Sequence, residues 1–519
     1  MSDRLRALYL EITKDRGKPL DIWEVAALLE VYGIRDVDAK REYGYENVFE
    51  LAKVLYENYR DIKEYPQVHL VSQEEIPPFK VRVKRHFLKG LAFALPMLLQ
   101  IVFTIVFGFA LWSNIQLDVT DATVIALGTF LALIVSGGLA QIIGRKGLYY
   151  LKMHEYILSG KIMQVLLVQG FIKILTISLL ILGLNSIFAI FSDYLLFLFL
   201  ATFFLLSILF TVSSVYYVFE EYEKIFYFYL LGIFFVFPLH YVLGIGFPEA
   251  QFLAIAFLDL VFIYFAFKKI QKLKSSEESE GEILPRTSML IFTLLPFYVY
   301  GVLYFLFLIL DRLVAWNANS INRGFFVWFD VQYEIGSDLA LLVLVLLMGL
   351  VEVLVYEFLY TLNEEVFKHP LSNYKEFNKQ MQDFFSKAVR IFVLYTVGAV
   401  LVVFVVVAIL TTLFPSTHLP FHKEAVLVFI VASIAFGFLT FALLDTLILF
   451  SFSRQNIVIR AIFFALLVNF FVGIVLANTI DIYFAVFGLL VGSIVFWYLT
   501  YRYIRKLLEK LDYFYYSAF

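Results

Sequence analysis

Residues 194–219 read YLLFLFLATFFLLSILFTVSSVYYVF, a run of 26 residues without a charged side chain. An α-helix of this length is about 39 Å long, which exceeds the roughly 30 Å hydrocarbon core of a bilayer. Backbone polar groups in that core must be satisfied within the segment itself, as they are in an α-helix. The run therefore predicts a transmembrane helix.

Similar apolar runs recur along the whole chain. Hydrophobic residues make up 61% of the 519 positions and the mean hydropathy is +0.84, whereas a soluble domain is about 45–50% apolar. We therefore predict an all-α polytopic membrane protein with about twelve transmembrane helices. The predicted spans are residues 88–112, 121–144, 163–189, 194–219, 225–245, 248–267, 288–313, 331–361, 389–414, 423–450, 456–477 and 480–501.

A polar segment divides these spans into six plus six. It contains Ser275-Ser-Glu-Glu-Ser-Glu-Gly-Glu, a composition that cannot bury a core, so we predict a flexible cytoplasmic linker over 268–287. The two halves, 83–267 and 288–519, look like copies, because Leu95-Pro96 in span 1 recurs as Leu295-Pro296 in span 7. Since each half has an even number of spans, the copies are expected to be parallel six-helix repeats, a common transporter plan.

The first 82 residues differ from the rest, because their apolar residues follow helical spacing and leave a charged face. We predict a small cytosolic helical domain there, called the cap below. Lys and Arg concentrate in every second loop, for example at Arg145-Lys146 and at Lys268-Lys269. By the positive-inside rule, both termini, the cap and the linker are predicted in the cytoplasm, with the spans in the cytoplasmic (inner) membrane. A net charge of −3 gives no sign of a nucleic-acid partner.

The connections after spans 2 and 8, residues 145–162 and 362–388, are amphipathic and helix-like. We predict that each lies along the cytoplasmic membrane interface before the next span begins. The alternative is an extension of the membrane helix into the cytoplasm, which would leave the topology unchanged.

Ionisable residues inside the spans are candidates for a substrate or ion pathway. A charge in hydrocarbon costs about 3 kcal/mol on insertion scales, so such groups normally face a cavity or a partner. The candidates are Lys173, His240, Asp259, Asp311, Arg312, Asp338, Glu352, Glu357 and Asp445.

Asp311 and Arg312 are neighbours, so on a helix they point about 100° apart and cannot simply pair with each other. One of them is expected to face the cavity and the other a neighbouring helix. The alternative is a snorkelling pair at the outer membrane surface.

Asp338 and Glu352 lie fourteen residues apart on nearly the same helix face. Together with Glu334 they could form an acidic stripe for a cation, an amine or a basic saccharide. The alternative is structural pairing of these acids with Arg312 or Lys173.

Motifs of catalysis are missing from the sequence: it has no Walker lysine loop, no dinucleotide fingerprint, no nucleophile elbow and no cysteine. We predict neither catalytic residues nor a metal or cofactor, and no enzymatic activity; coupling to H⁺ or Na⁺ stays open. A membrane-embedded glycosyltransferase, the enzymatic alternative, would need paired acids such as Asp330 and Glu334.

The stretch Leu310-Asp311-Arg312-Leu-Val-Ala-Trp316 resembles the acidic–basic–Trp segment that ends the seventh helix of the export subunit in Pel-type exopolysaccharide systems (PelG-like). Glu352-Val-Leu-Val-Tyr356-Glu357 resembles the next block of that family. Those proteins resemble the MOP (multidrug/oligosaccharidyl-lipid/polysaccharide) superfamily, whose two six-helix bundles enclose a cavity in the MATE-like manner. The cap departs from the short N-terminus usual in the family.

The resemblance implies a transporter that exports a polysaccharide or a saccharide-containing lipid, by alternating access or as a conduit. Its partners would be membrane lipid, the saccharide or lipid-linked saccharide, and a cytoplasmic glycosyltransferase docked on the cap. The alternative is a cation-coupled small-molecule carrier of the multidrug-antiporter or major-facilitator type.

Overall fold

The computed structural model describes residues 2–14, 18–59, 77–275, 284, 286–319, 327–413 and 422–516. Within these residues the protein is helical, apart from an isolated β-bridge between Phe109 and Asn114. Eleven helices are long and apolar enough to cross a membrane, and one bent helix pair makes a twelfth. The prediction of an all-α integral membrane protein with about twelve spans is confirmed.

The membrane helices are numbered 1 to 12 along the chain. Helix 1 has two segments, Phe79–Phe93 and Leu95–Phe107. Helices 2 to 6 are Val119–Lys152, Tyr156–Phe188, Asp193–Val218, Tyr222–Val242 and Phe247–Lys274. Helices 7 to 12 are Thr287–Asn319, Val331–Lys368, Tyr374–Leu413, Lys423–Ser451, Gln455–Thr479 and Ile482–Glu509, and a short helix, Leu511–Tyr516, follows.

The connections after helices 2 and 8 are extensions of the membrane helices. Helix 2 runs unbroken to Lys152, and helix 3 begins at Tyr156. The chain reverses in a tight turn in which His154 adopts a left-handed backbone conformation with φ 60°. Helix 8 likewise continues to Lys368, and helix 9 begins at Tyr374. The prediction of separate interfacial helices was wrong, because a continuous helix keeps the backbone hydrogen bonds that a break would lose.

The two halves repeat one pattern of packing. Helices 2, 4 and 6 pack in series, as do helices 8, 10 and 12. Helix 5 packs against helices 1 and 6, and helix 11 packs against helices 7 and 12. Between the halves, helix 1 packs against helix 8 (the 1/8 contact) and helix 2 against helix 7 (the 2/7 contact). A two-fold axis relating parallel halves would exchange these two contacts, so the packing agrees with the repeat expected from the sequence.

The repeated Leu-Pro pair has a different outcome in each half. Pro96 begins the second segment of helix 1, which turns by 63° at Ala94. Pro296 lies inside helix 7, which continues through it. Proline removes one backbone hydrogen bond and crowds the carbonyl four residues earlier, so either outcome satisfies its geometry.

The cap has a hydrophobic core of its own. Its longer helices are Ser2–Thr13, Ile22–Val31 and Val48–Tyr59. Tyr9, Leu29 and Leu51 are completely buried among them.

Asp21 joins the cap to the membrane helices. One oxygen of its carboxylate accepts the N–H of Glu24 at 2.9 Å and caps the second cap helix. The other accepts the N–H of Ser372, between helices 8 and 9, at 2.8 Å. We call this end of the helix bundle the cap end and the opposite end the far end.

Helix 6 continues to Lys274 and thus enters the segment predicted as a linker. Residues 276–283 and 285, which hold most of the acidic stretch, lie outside the described residues. The domain boundaries drawn from the sequence stay predictions.

Candidate functional site

Four charged residues near the far end form one cluster between helices 7 and 8. The guanidinium of Arg312 donates to the carboxylate of Glu334 and lies 2.9 Å from that of Asp338. Asp311 is completely buried and accepts the hydroxyl of Tyr333 at 2.7 Å. As expected, Asp311 and Arg312 do not pair with each other. Both contact helix 8 and both are buried, so the alternative of a snorkelling surface pair is wrong.

This far-end cluster also reaches helix 2 in the other half. The indole N–H of Trp316 donates to Glu334 at 3.0 Å, and its ring stacks on Phe130 with centroids 5.2 Å apart. The N–H of Phe329 donates to the hydroxyl of Thr123 at 3.1 Å. The 2/7 contact is therefore closed at its far end by aromatic stacking and a hydrogen bond.

A second charged cluster lies at the cap end, within the 1/8 contact. Arg82 donates two hydrogen bonds, each 2.9 Å long, to the carboxylate of Glu357. Its guanidinium lies 4.3 Å from the ring centroid of Tyr360. Lys89 lies 3.2 Å from the carboxylate of Glu352. Two ion pairs thus hold helix 1 of the first half against helix 8 of the second.

Lys89 and His86 extend this cap-end cluster. The imidazole of His86 stacks on Tyr356 at 3.7 Å, with Nδ1 3.9 Å from Glu352. Lys89 also donates to Glu220, in the connection between helices 4 and 5, at 2.8 Å. Burial raises the pKa of Glu220, but the hydrogen bond and charge of Lys89 outweigh burial and hold that pKa below its usual range. The lysine thus joins the two halves electrostatically.

Sequence reasoning missed the cations of this cluster. Arg82, His86 and Lys89 are spaced at i, i+4 and i+7, which is one face of a helix. The first span was predicted to begin at residue 88, so Arg82 and His86 fell outside it, and none of the three cations was chosen as a candidate. Their spacing was the signal that could have revealed a charged helix face.

The acidic residues of helix 8 do not form one continuous stripe. Glu334 and Asp338 are paired with Arg312, as one alternative expected, whereas Glu352 is paired with Lys89. Asp338 and Glu352 are separated by about 21 Å of helix. Asp338 keeps about half of its side chain exposed. Glu334 and Asp338 therefore belong to the far-end cluster, and Glu352 belongs to the cluster at the cap end.

Among the described residues, three buried aspartates have an unpartnered carboxylate oxygen: Asp311 of the far-end cluster, and Asp259 and Asp445 outside the charged clusters. Asp259 of helix 6 has no hydrogen-bond partner for either oxygen among the described residues. Asp445 of helix 10 accepts the hydroxyl of Thr500 at 3.1 Å, and its other oxygen has no such partner. A buried carboxylate without a partner is costly, so Asp259 and Asp445 both favour uptake of a proton or a cation.

The two remaining candidates, Lys173 and His240, belong to neither of the charged clusters. Lys173 of helix 3 is exposed, and its ammonium lies 4.6 Å from the ring centroid of Tyr298 in helix 7. His240 stacks on Phe247 at 3.7 Å and lies 2.8 Å from the carbonyl oxygen of Ile245. His240 therefore stabilises the turn at the far end of helix 5 and is not brought near the other candidates.

Glycines allow the closest approach in both contacts between the halves. A Cβ atom at Gly301 of helix 7 would lie 2.5 Å from the carbonyl oxygen of Gly137 in helix 2. A Cβ atom at Gly90 of helix 1 would collide with the carbonyl of Met348 in helix 8. Backbone meets backbone at both places, so the two contacts are equally close there.

Comparison with known proteins gives no match to a family model or to a curated relative. Solved structures do match, and the three described below are MATE or MOP superfamily transporters. A variant of the Vibrio cholerae MATE transporter VcmN aligns with a TM-score of 0.58 and 16% identity, over 84% of this chain and 99% of that one. The chain has the MATE transporter fold.

Two further structures agree. A MOP superfamily transporter from Pyrococcus furiosus, whose binding pocket is described as having reverse polarity, gives a TM-score of 0.59 and 12% identity over 84% and 97% of the chains. The eukaryotic MATE transporter AtDTX14 gives 0.58 and 13% over 85% and 98%. The uncovered part of this chain is close in length to residues 1–78. The likeness concerns the fold, and the Pel-type resemblance stays a prediction.

Proposed function

We propose that the protein is a transporter that exports a polysaccharide or a saccharide-containing lipid by alternating access between its two halves. The observation that carries this proposal is the difference between the two contacts that join the halves. The 2/7 contact is packed at both of its ends, whereas the ion pairs of the 1/8 contact lie at the cap end. Beyond Ala94, helix 1 turns by 63° and also packs against helix 5.

The chemistry of the 1/8 contact suits a gate. Lys89 and Glu352 each keep about a quarter of their side chains exposed, so water can replace each partner when the pair separates. A partly exposed ion pair of this kind contributes about 0–1 kcal/mol, so the separation of Lys89 from Glu352 costs little. In the open state these groups would line the entrance at the cap end.

The saccharide substrate is supported by the resemblance at 310–316 and 352–357 to the Pel-type export subunit. The alternative, a cation-coupled small-molecule carrier, is supported by a specific observation, the unpartnered carboxylate oxygens of Asp259 and Asp445. These groups could bind H⁺ or Na⁺ in turn with substrate. One structural neighbour is a multidrug resistance MATE family transporter, which agrees with the alternative.

Reconstitution of the full chain in liposomes separates these functions. We expect movement of a fluorescent lipid-linked oligosaccharide across the bilayer, and a strong loss of this movement in the gate variant Glu352→Gln. Accumulation of a small organic cation that follows an imposed H⁺ or Na⁺ gradient, and that disappears in Asp445→Asn, would instead establish the carrier. If the folded protein moves neither compound across the bilayer, both proposed functions are contradicted.

The cap is proposed to dock a cytoplasmic glycosyltransferase. An open groove of about 510 Å³ lies between the cap and the start of helix 9, lined among others by Trp23, Phe49 and Tyr374. Trp23 and Phe49 are about half exposed, and exposed aromatic residues are typical of protein interfaces. Deletion of residues 1–76, which leaves helix 1 intact, should abolish export while the remainder stays folded. Unchanged export contradicts this role.

The membrane orientation is part of the same proposal. The Lys and Arg bias favours the cap end as cytoplasmic and the inner membrane as the location. The chain has no cysteine, so single cysteines introduced at Ser372 and Asn478 can report the two sides. We expect an impermeant maleimide added to intact cells to label position 478 and not position 372. The reverse pattern would invert the topology.

A further inference from the structure

A group of cations lies where helices 2 and 3 meet helix 7, at the cap-end side of the 2/7 contact. The guanidinium of Arg145 lies 5.0 Å from the ring centroid of Phe297. The ammonium of Lys173 lies 4.6 Å from the ring centroid of the next residue, Tyr298. We call Arg145, Lys173 and these two rings the cationic cleft.

The directions of the helices bring the side chains of Arg145 and Lys173 toward each other in depth. Side chains lean toward the N-terminus of their own helix. Helix 2 runs from the far end to the cap end, so Arg145 leans into the membrane. Helix 3 runs the opposite way, so Lys173 leans toward the cap end. Gly138 leaves room for the ring of Tyr298, because a Cβ atom there would lie 2.8 Å from that ring.

The part of the chain that the structure describes supplies no counter-charge to the cationic cleft. Among the described residues, no carboxylate lies within 4.0 Å of the charged groups of Arg145 or Lys173. The contact related to it by the two-fold axis is different, since Arg82 there is matched by Glu357. Aromatic rings stabilise a cation only partly, so the cleft is left with uncompensated positive charge.

Arg145 lies near the cap-end edge of the hydrocarbon core, whereas Lys173 lies near the middle of helix 3, about 25 Å along that helix from Tyr156, with its side chain directed back toward the cap end. Helix 2 has 34 residues and is about 51 Å long, so roughly 10 Å protrudes at each end of a 30 Å core. Arg145 lies about 10 Å from the cap-end terminus of that helix. On helix 3, Ile172 and Leu175 beside Lys173 expose half or more of their side chains, which indicates a surface that faces lipid.

We propose that the cationic cleft binds the phosphate of an anionic phospholipid from the leaflet at the cap end. Arg and Lys supply charge-assisted hydrogen bonds to phosphate oxygens, and basic pockets between membrane helices on the cytoplasmic side bind anionic headgroups. The acyl chains would lie along the exposed apolar face of helix 3. This lipid site does not depend on which substrate the protein transports.

Native mass spectrometry of the full chain in detergent tests the site. Delipidated protein is titrated with phosphatidylglycerol or phosphatidylcholine, and the bound lipids are counted. Arg145→Gln and Lys173→Gln should each weaken phosphatidylglycerol binding about fivefold, and the double variant about 25-fold, because each basic residue near a membrane surface contributes about 1 kcal/mol. Binding of phosphatidylcholine should not change.

Lys268→Gln, which removes an exposed lysine at the cap end of helix 6, is the matched control and should bind like the parent. Lys173→Arg keeps the charge and should keep the affinity, which separates a lost site from a misfolded variant. Equal affinity of the double variant and the parent for phosphatidylglycerol overturns the proposal. Displacement of the lipid by inorganic phosphate, with equal loss in the same variants, would assign the site to a free anion and overturn the lipid.

Discussion

The 1/8 and 2/7 contacts occupy equivalent places in the two-fold arrangement, yet they are held by different chemistry. The 1/8 contact has ion pairs, Arg82 with Glu357 and Lys89 with Glu352, all at its cap end. The 2/7 contact has stacked rings at its far end, two glycines at its middle and cations over rings at its cap end. Of these two equivalent helix pairs, the 1/8 contact is therefore suited to opening and the 2/7 contact to staying packed.

The two contacts differ in how favourably their side chains interact with water once the contact opens. Charged groups regain hydration when an ion pair separates, so opening the 1/8 contact replaces one favourable environment by another. The stacked aromatic rings of the 2/7 contact gain nothing comparable, because exposing apolar surface to water is unfavourable. We infer that the 2/7 contact acts as the hinge and the 1/8 contact as the gate.

The largest expected effect concerns the far-end cluster that braces the hinge. Arg312→Met leaves Glu334 and Asp338 without their cation, and removing one partner of a buried ion pair costs about 3–5 kcal/mol. Thermal unfolding in detergent should show a large fall in melting temperature. Arg390→Met removes an exposed arginine of helix 9 and should melt like the parent. Equal melting of the two variants contradicts the bracing role.

The next effect compares the two glycine approaches directly. Gly301→Ala forces a Cβ atom against the backbone of helix 2, which should cost about 1–3 kcal/mol of stability because neither backbone can yield. Gly90→Ala makes a similar collision with helix 8, but the gate can relieve it by opening. We expect a clear loss of melting temperature only for Gly301→Ala.

Gly90→Ala should instead increase maleimide labelling of a cysteine introduced at Tyr356, which lies inside the closed gate. If the two glycine variants melt alike and neither changes this labelling, the distinction between hinge and gate is lost.

A smaller effect is expected from charge reversal in the gate. Arg82→Glu places two carboxylates together and should favour the open cap end, and Glu357→Arg should do the same with two cations. The double variant restores the pair, with a coupling energy of about 0.5–3 kcal/mol. Disulfide yield between cysteines at His86 and Tyr356, whose rings stack with centroids 3.7 Å apart, measures closure. Additive losses in the double variant would mean that this pair does not hold the gate.

The sequence predicts the fold further than it predicts the site. Apolar runs long enough to span a bilayer located the twelve helices, because hydrophobic length is a local property. Whether a Leu-Pro pair interrupts its helix was not predictable. Helix 1 breaks at Ala94, whereas helix 7 continues through Pro296. That choice depends on neighbouring helices rather than on the proline itself.

The sequence also did not show which residues pair across the gate, although the acidic member of each ion pair was chosen as a candidate. Glu352 and Glu357 were chosen as candidates because a carboxylate in a span is costly. Their partners, Lys89 and Arg82, were not chosen as candidates, because nothing in one helix tells which helix lies opposite. Only the spacing of the cations on one helix face carried information about the contact.

The smallest expected effect is a pH dependence of the gate. The pKa of Glu220 lies below its usual range in the folded protein. Its charge therefore holds Lys89 in position beside Glu352, and in this way supports the closed gate, above the ordinary glutamate pKa of about 4.3. This contribution is lost as the pH falls through the lowered folded pKa. It should stay under about 1 kcal/mol, because solvent screens the half-exposed side chain.

Closure measured by the same disulfide yield should weaken at low pH in the parent and in Glu223→Gln, an exposed neighbour serving as control. In Glu220→Gln the dependence should be reduced. An unchanged pH profile in Glu220→Gln would remove this residue from the gate.

Distance measurements between spin labels at the cap end test the central claim most directly. The cysteine-free chain allows one label pair across the gate, at Lys84 and Asn363, and another across the hinge, at Lys152 and Ser288. We predict that the gate distance lengthens in Arg82→Glu and returns in the double variant with Glu357→Arg, while the hinge distance stays constant. A hinge distance that changes as much as the gate distance, or a gate distance that never changes, would contradict the account.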